Sequence, residues 1–214
     1  MDALPGLNYF NIADKISESP QMQMADAETL ARFFAQAWLN PCKRASCFSL
    51  SARKSQPTLR TDLETNLDKL TTARYRSVLT HGDFSEFNIL VHEESGAING
   101  IVDWPDACVL SFGFALHTLE YVLGGMYLKG WSYNQNASEV REHFWTIFEE
   151  IAQPTNDEME MMKLARMTGI LFRYGSRVGI RYALVCVGSE ARIMPPSLSL
   201  KHTLETRSLR AAVF

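Results

Sequence analysis

Glycine is scarce at the front of this chain. Of 12 glycines among 214 residues, only Gly6 precedes Gly82, so no glycine-rich phosphate-cradling loop can be drawn there. Cysteine is scarce too. Cys42, Cys47, Cys108 and Cys186 form no CxxC pair, which argues against a structural zinc site. Basic residues are not in excess: 21 Lys and Arg face 24 Asp and Glu, for a net charge of -3. No nucleic-acid partner is therefore expected. Long apolar runs are missing as well. Phe112 to Leu128 holds His117 and Glu120, and Gly169 to Gly188 holds Arg173, Arg177 and Arg181, so no membrane span is expected. The amino terminus has no basic region followed by an apolar run, so no secretory leader is expected, and the expected compartment is reducing and cytoplasmic.

What is present suits one folded unit. Apolar residues make up 46% and charged residues 21%, enough for one core and short for two. Residues 1–24 read as an irregular lead-in. A helix is expected over 26–40, with Asp26 as its N-cap and Leu30, Phe33, Phe34, Ala37 and Trp38 on one face. Residues 41–57 read as a polar loop, and leucines at 59, 63, 67 and 70 set helical spacing over 58–75. Two β-prone runs, Asn88 to His92 and Ile98 to Val102, flank Glu94-Ser95-Gly96 and predict a hairpin. Helices are expected from Phe112 to Tyr127 (Gly124-Gly125 threatening to end it early), from Ser138 to Ile151, and from Asp157 toward Val187. The whole reads as α+β, mainly helical, a single domain over 1–214 with one small β element.

The segment 76–126 carries the chemistry. It contains His81-Gly82-Asp83, then Asn88, then Asp103-Trp104 beyond the hairpin. Asp83 and Asn88 would lie up to about 17 Å apart on extended chain, so a loop must curl back, and Gly82 permits that turn. With the hairpin centred on Glu94-Ser95-Gly96, facing residue numbers sum to about 190. Asn88 then lies opposite Val102, next to Asp103, across a strand spacing of about 4.8 Å. An amide oxygen and a carboxylate are ligands that Mg²⁺ accepts alongside water and phosphate. Asp83 is left to orient a hydroxyl or take its proton. An Asp at the acceptor, with an Asn and a second Asp on metal, is the phosphoryl-transfer arrangement.

This run resembles the catalytic loop of the aminoglycoside phosphotransferase and choline kinase superfamily, which is protein-kinase-like: His-Gly-Asp, four residues, Asn, then a hairpin ending in Asp-Trp or Asp-Phe. At roughly 5% per residue type, six fixed positions recur by chance about once in 10⁷–10⁸ placements. Asp106, Phe112-Gly113 and Leu119-Glu120 resemble the family's continuation. The resemblance implies ATP as phosphoryl donor, Mg²⁺ on Asn88 and Asp103, Asp83 as the catalytic residue, and His81, Gly82 and Trp104 as structural parts of the loop. It implies a small-molecule hydroxyl as acceptor. His92, His117, His143 and His202 show no ligand spacing and read as surface or core. Arg173, Arg177 and Arg181 recur every four residues, a charged helix face first and an anion site second.

Kinases of this kind also carry a nucleotide-clamping lobe with a glycine-rich loop and a strand lysine. Lys15, Lys43, Lys54 and Lys69 are the lysines before His81, and none sits in a β-prone run. The chain thus reads as a C-terminal lobe, with the N-terminal lobe absent and an exposed cleft for a protein partner to cover. Two functions follow. One is an ATP-dependent phosphotransferase impaired by the missing lobe. The other is a catalytically inactive pseudokinase or interaction module.

Overall fold

In a computed structural model, residues 5–42, 70, 75–127 and 130–174 are described. They form a mixed helix-and-sheet unit. The elements are β1 (Leu7–Asn8), α1 (Tyr9–Glu18), α2 (Pro20–Leu39), β2 (Ser77–Thr80), a 3-10 turn (Glu86–Asn88), β3 (Ile89–Val91), β4 (Ile98–Ile101), β5 (Cys108–Ser111), a second 3-10 turn (Phe114–Thr118), α3 (Leu119–Leu123), β6 (Gly124–Tyr127), β7 (Gly130–Tyr133), α4 (Ala137–Ala152) and α5 (Asn156–Tyr174). The single β element expected from the sequence becomes three small sheets: β1-β3-β4, β2-β5 and β6-β7. The expected helix over 58–75 lies outside the described residues except at Leu70 and Tyr75, as do Arg177, Arg181 and His202.

The lead-in is ordered structure rather than irregular chain. Asn8 caps α1 by accepting from the Phe10 N–H at 3.0 Å. Ser19 caps α2 by accepting from the Met22 N–H at 3.3 Å, and Pro20 fills the first helical position, where its missing N–H costs nothing. Asp26 is therefore not a cap. It sits in the middle of α2, fully buried, and burial pushes its carboxyl well above the usual carboxylate range. The helix expected over Phe112–Tyr127 breaks as Gly124-Gly125 suggested: α3 ends at Leu123 and the two glycines begin a strand.

The core lies between α2 and α4. Ala27, Leu30, Ala31, Phe34, Ala35 and Trp38 recur at helical spacing and are buried, as are Val140, Phe144 and Phe148. Their rings form a connected set, with Phe34 on Phe144 at 6.3 Å, Trp38 on Phe112 at 5.0 Å and Phe112 on Phe148 at 5.7 Å. Phe84, next to Asp83, joins this set through Phe34 at 5.9 Å and Phe33 at 5.5 Å. It is 1% exposed.

Helix α5 is started by a reciprocal cap. The Glu158 N–H donates to Thr155 Oγ1 at 3.3 Å, and the Thr155 N–H donates to Glu158 Oε2 at 2.9 Å. Arg166 then pairs with Glu120 of α3, whose side chain is 1% exposed and also accepts from the Tyr133 hydroxyl at 2.8 Å. A Cβ on Gly169 would stand 2.0 Å from the Phe114 carbonyl oxygen, so α5 lies directly against the second 3-10 turn. None of the described helices is long and apolar enough to cross a membrane.

Phe84→Ala removes a fully buried ring and is expected to lower stability by about 3–5 kcal/mol. Chemical denaturation monitored by circular dichroism measures this, and a loss under about 1 kcal/mol would contradict the packing described.

Candidate active site

The loop from His81 to Asn88 joins β2 to β3. It runs across the end of the hairpin. Gly82 has φ +82°, and a Cβ there would lie 2.1 Å from the Asp106 carbonyl oxygen, so only glycine fits this turn. Side chains then hold the loop by its main chain or by the chain beside it. His81 Nε2 lies 2.7 Å from the Val102 carbonyl oxygen, which makes Nε2 the protonated nitrogen. Asn88 Nδ2 donates to the Asp83 carbonyl at 2.9 Å. His117 Nε2 lies 3.2 Å from the Phe84 carbonyl oxygen.

The hairpin sets the far side. Ile89 pairs with Ile101 and Leu90 with Gly100, and the register shifts after Leu90. The Val102 N–H donates to the Asn88 carbonyl at 2.9 Å, which brings the main chain of Asp103 one residue past Asn88's partner. Asp103 has φ +64°, a left-handed conformation that Asp adopts more readily than bulkier residues. It is exposed, whereas Asn88 is buried. Trp104 packs its ring on His81 at 4.7 Å and donates through Nε1 to the Ile101 carbonyl at 2.7 Å. It is half-buried against the loop rather than part of the central core.

The donor chemistry suits Mg²⁺. The hydrogen bond from Asn88 Nδ2 identifies the other end of that amide as the oxygen, and Asp103 supplies a carboxylate. Two hard oxygen donors leave room for phosphate and water. Among the described residues no group of three His, Cys, Asp or Glu stands together to hold a metal ion.

Asp83 has a partner that the spacing of the arginines did not foretell. Arg173 Nη1 lies 2.6 Å from Asp83 Oδ1. Of the expected charged face, Arg173 on α5 thus turns inward, onto the loop. The signal was only the fourfold recurrence, and a pairing between such distant positions leaves no local trace.

His117, which shows no ligand spacing in the sequence, is buried beneath the loop. Its two ring nitrogens face the Phe114 and Phe84 carbonyl oxygens, and a neutral ring can donate to only one of them. Burial depresses its pKa to about 4, aided by Arg173 and opposed by those two carbonyls and by Asp83.

Residues 15–114 match the model of the APH phosphotransferase enzyme family, in agreement with the resemblance carried by the loop motif. Among solved structures, the chain is similar to a macrolide 2'-phosphotransferase type I (12% identity, 80% of this chain and 62% of that one, TM-score 0.38). It is also similar to macrolide 2'-phosphotransferase MphH from Brachybacterium faecium (16% identity, 89% and 70%, TM-score 0.40). The chain thus spans less than two thirds of the length of the first. No curated protein matches it.

Two measurements check this geometry. Gly82→Ala is expected to distort the loop, lowering the melting temperature by several degrees, because both its φ and the Asp106 contact exclude a side chain. His117 binds fewer protons folded than unfolded between pH 4 and 6.5. Its contribution is therefore complete above pH 6.5 and is lost as pH falls, by about 2 kcal/mol at pH 5. Urea unfolding at pH 7 and pH 5 should show a drop that His117→Gln reduces.

Proposed function

We propose, on the premise that residues 15–114 belong to the phosphotransferase enzyme family, that this protein transfers the γ-phosphoryl group of ATP to a hydroxyl of a small molecule. The observation that carries the reading is the hydrogen bond from Asn88 Nδ2 to the Asp83 carbonyl. It ties the acceptor-side residue and a metal-side residue into one short loop, while the Val102–Asn88 backbone bond brings the chain of Asp103 alongside.

In this reading Asp83 orients the acceptor. The hydroxyl oxygen attacks the γ-phosphorus, the bond from that phosphorus to the β–γ bridging oxygen breaks, ADP leaves, and the hydroxyl proton passes to the Asp83 carboxylate. Asn88 and Asp103 would hold Mg²⁺, which would supply charge neutralisation at the phosphates. His81, Gly82 and Trp104 keep the loop in shape. Little covalent chemistry is asked of the protein, so most of the rate rests on position and charge.

A second reading, a catalytically inactive interaction module, is favoured by the Asp83–Arg173 ion pair, which engages the very carboxylate the reaction needs. The two are separated by turnover. Millimolar Mg·ATP is expected to raise the melting temperature, and Asp83→Asn to lower Mg²⁺-dependent ADP release at least about 100-fold. Equal ADP release from wild type and Asp83→Asn would instead support the inactive module.

A further inference from the structure

The hydrogen bonds that shape the loop act on main chain. His81, Asn88 and His117 each reach a backbone carbonyl oxygen, and none of these bonds fixes the rotation of the Asp83 carboxylate. Arg173 acts on the carboxylate itself.

The helix that brings it is seated with little freedom. Arg166 and Arg173 are two helical turns apart, so they share a face and differ in height by about 10 Å. The lower one is locked to the buried Glu120, which Tyr133 also holds. Between them Gly169 lies against the Phe114 carbonyl, and Gly113, on the turn below, meets Ala165. Sliding or rolling α5 would break the Glu120 contact and drive backbone into backbone. The upper arginine is thereby delivered to one place.

The pair is also poorly placed to serve stability. The Arg173 side chain is 23% exposed and that of Asp83 39%, a setting in which ion pairs add little to folding. Its effect is geometric: it restrains a carboxylate that a phosphoryl-transfer site needs aimed.

We infer that Arg173 is a positioning residue for the phosphoryl-transfer reaction, holding the Asp83 carboxylate toward the acceptor hydroxyl from the seat that Glu120 and Arg166 give to α5. This rests on the phosphotransferase reading above.

The test uses the full chain and the variants R173A and R173K. Two quantities are read: Mg²⁺-dependent ADP release across a range of ATP concentrations, and the ¹³C resonance of the Asp83 side-chain carboxyl without nucleotide, identified by its loss in D83N. R173A should move that resonance and lower kcat about 10- to 100-fold with KM for Mg·ATP within about twofold, because aim and not nucleotide binding is lost. R173K should recover part of kcat. An R173A variant that turns over faster than wild type would make the pair an inhibitory latch, and this overturns the inference. Unchanged kcat overturns it too, whether or not the resonance moves. Wild type without turnover removes the phosphotransferase reading and this inference with it, whereas normal wild-type turnover that R173A leaves untouched removes this inference alone.

Discussion

Phe84 is where the candidate site and the core meet. Its ring is buried among Phe33, Phe34 and His81, while the residue before it is the carboxylate with the expected reactive role. A loop of eight residues between two short strands would otherwise have little to fix it, because its backbone makes few ladder bonds. Burying one aromatic ring gives the loop a share of the cooperativity of the whole α2–α4 interior. Any disturbance of that interior then reaches Asp83 through a single covalent step.

Around this anchor the protein divides its labour between main chain and side chain. Histidines and an amide clasp carbonyl oxygens, so the path of the loop is set without using the groups that would meet substrate. His81 illustrates the economy. One ring nitrogen holds Val102 while the ring face supports Trp104, so the strand that leads into Asp103 and the loop that carries Asp83 share a single brace. Asp103 follows this braced strand with a positive φ, a conformation that Asp tolerates better than most residues.

Much of this was readable in advance, for identifiable reasons. The hairpin register follows from a turn centre and the two-residue period of strands, and the pairs Ile89–Ile101 and Leu90–Gly100 sum to 190. The stripe of Val140, Phe144 and Phe148 marks α4 almost to its ends. Other parts left weak traces. Ser19-Pro20 is a good start signal for α2, but the mixed, methionine-rich stretch around it masked the periodicity, and Asp26 drew the boundary too late. β2 and β5 are four residues each and pair across a long stretch of chain, so neither shows an alternation long enough to recognise. The contacts of Arg173, Glu120 and His117 are tertiary, and single-residue identity says nothing about which distant group each will meet.

The β1-β3-β4 sheet has one further property. Its β3–β4 hairpin has two flanks, each a row of amide and carbonyl groups able to recruit a foreign chain. Here one flank is covered by the two residues of β1, which pair with β3. On the other, the Ile98 N–H donates to Thr29 Oγ1 of α2 at 3.0 Å. A dipeptide and one hydroxyl thus cover part of both flanks of the β3–β4 hairpin. The work of guarding these strands against edge-to-edge pairing thus falls to Leu7, Asn8 and Thr29, none of them in the His81–Asn88 loop.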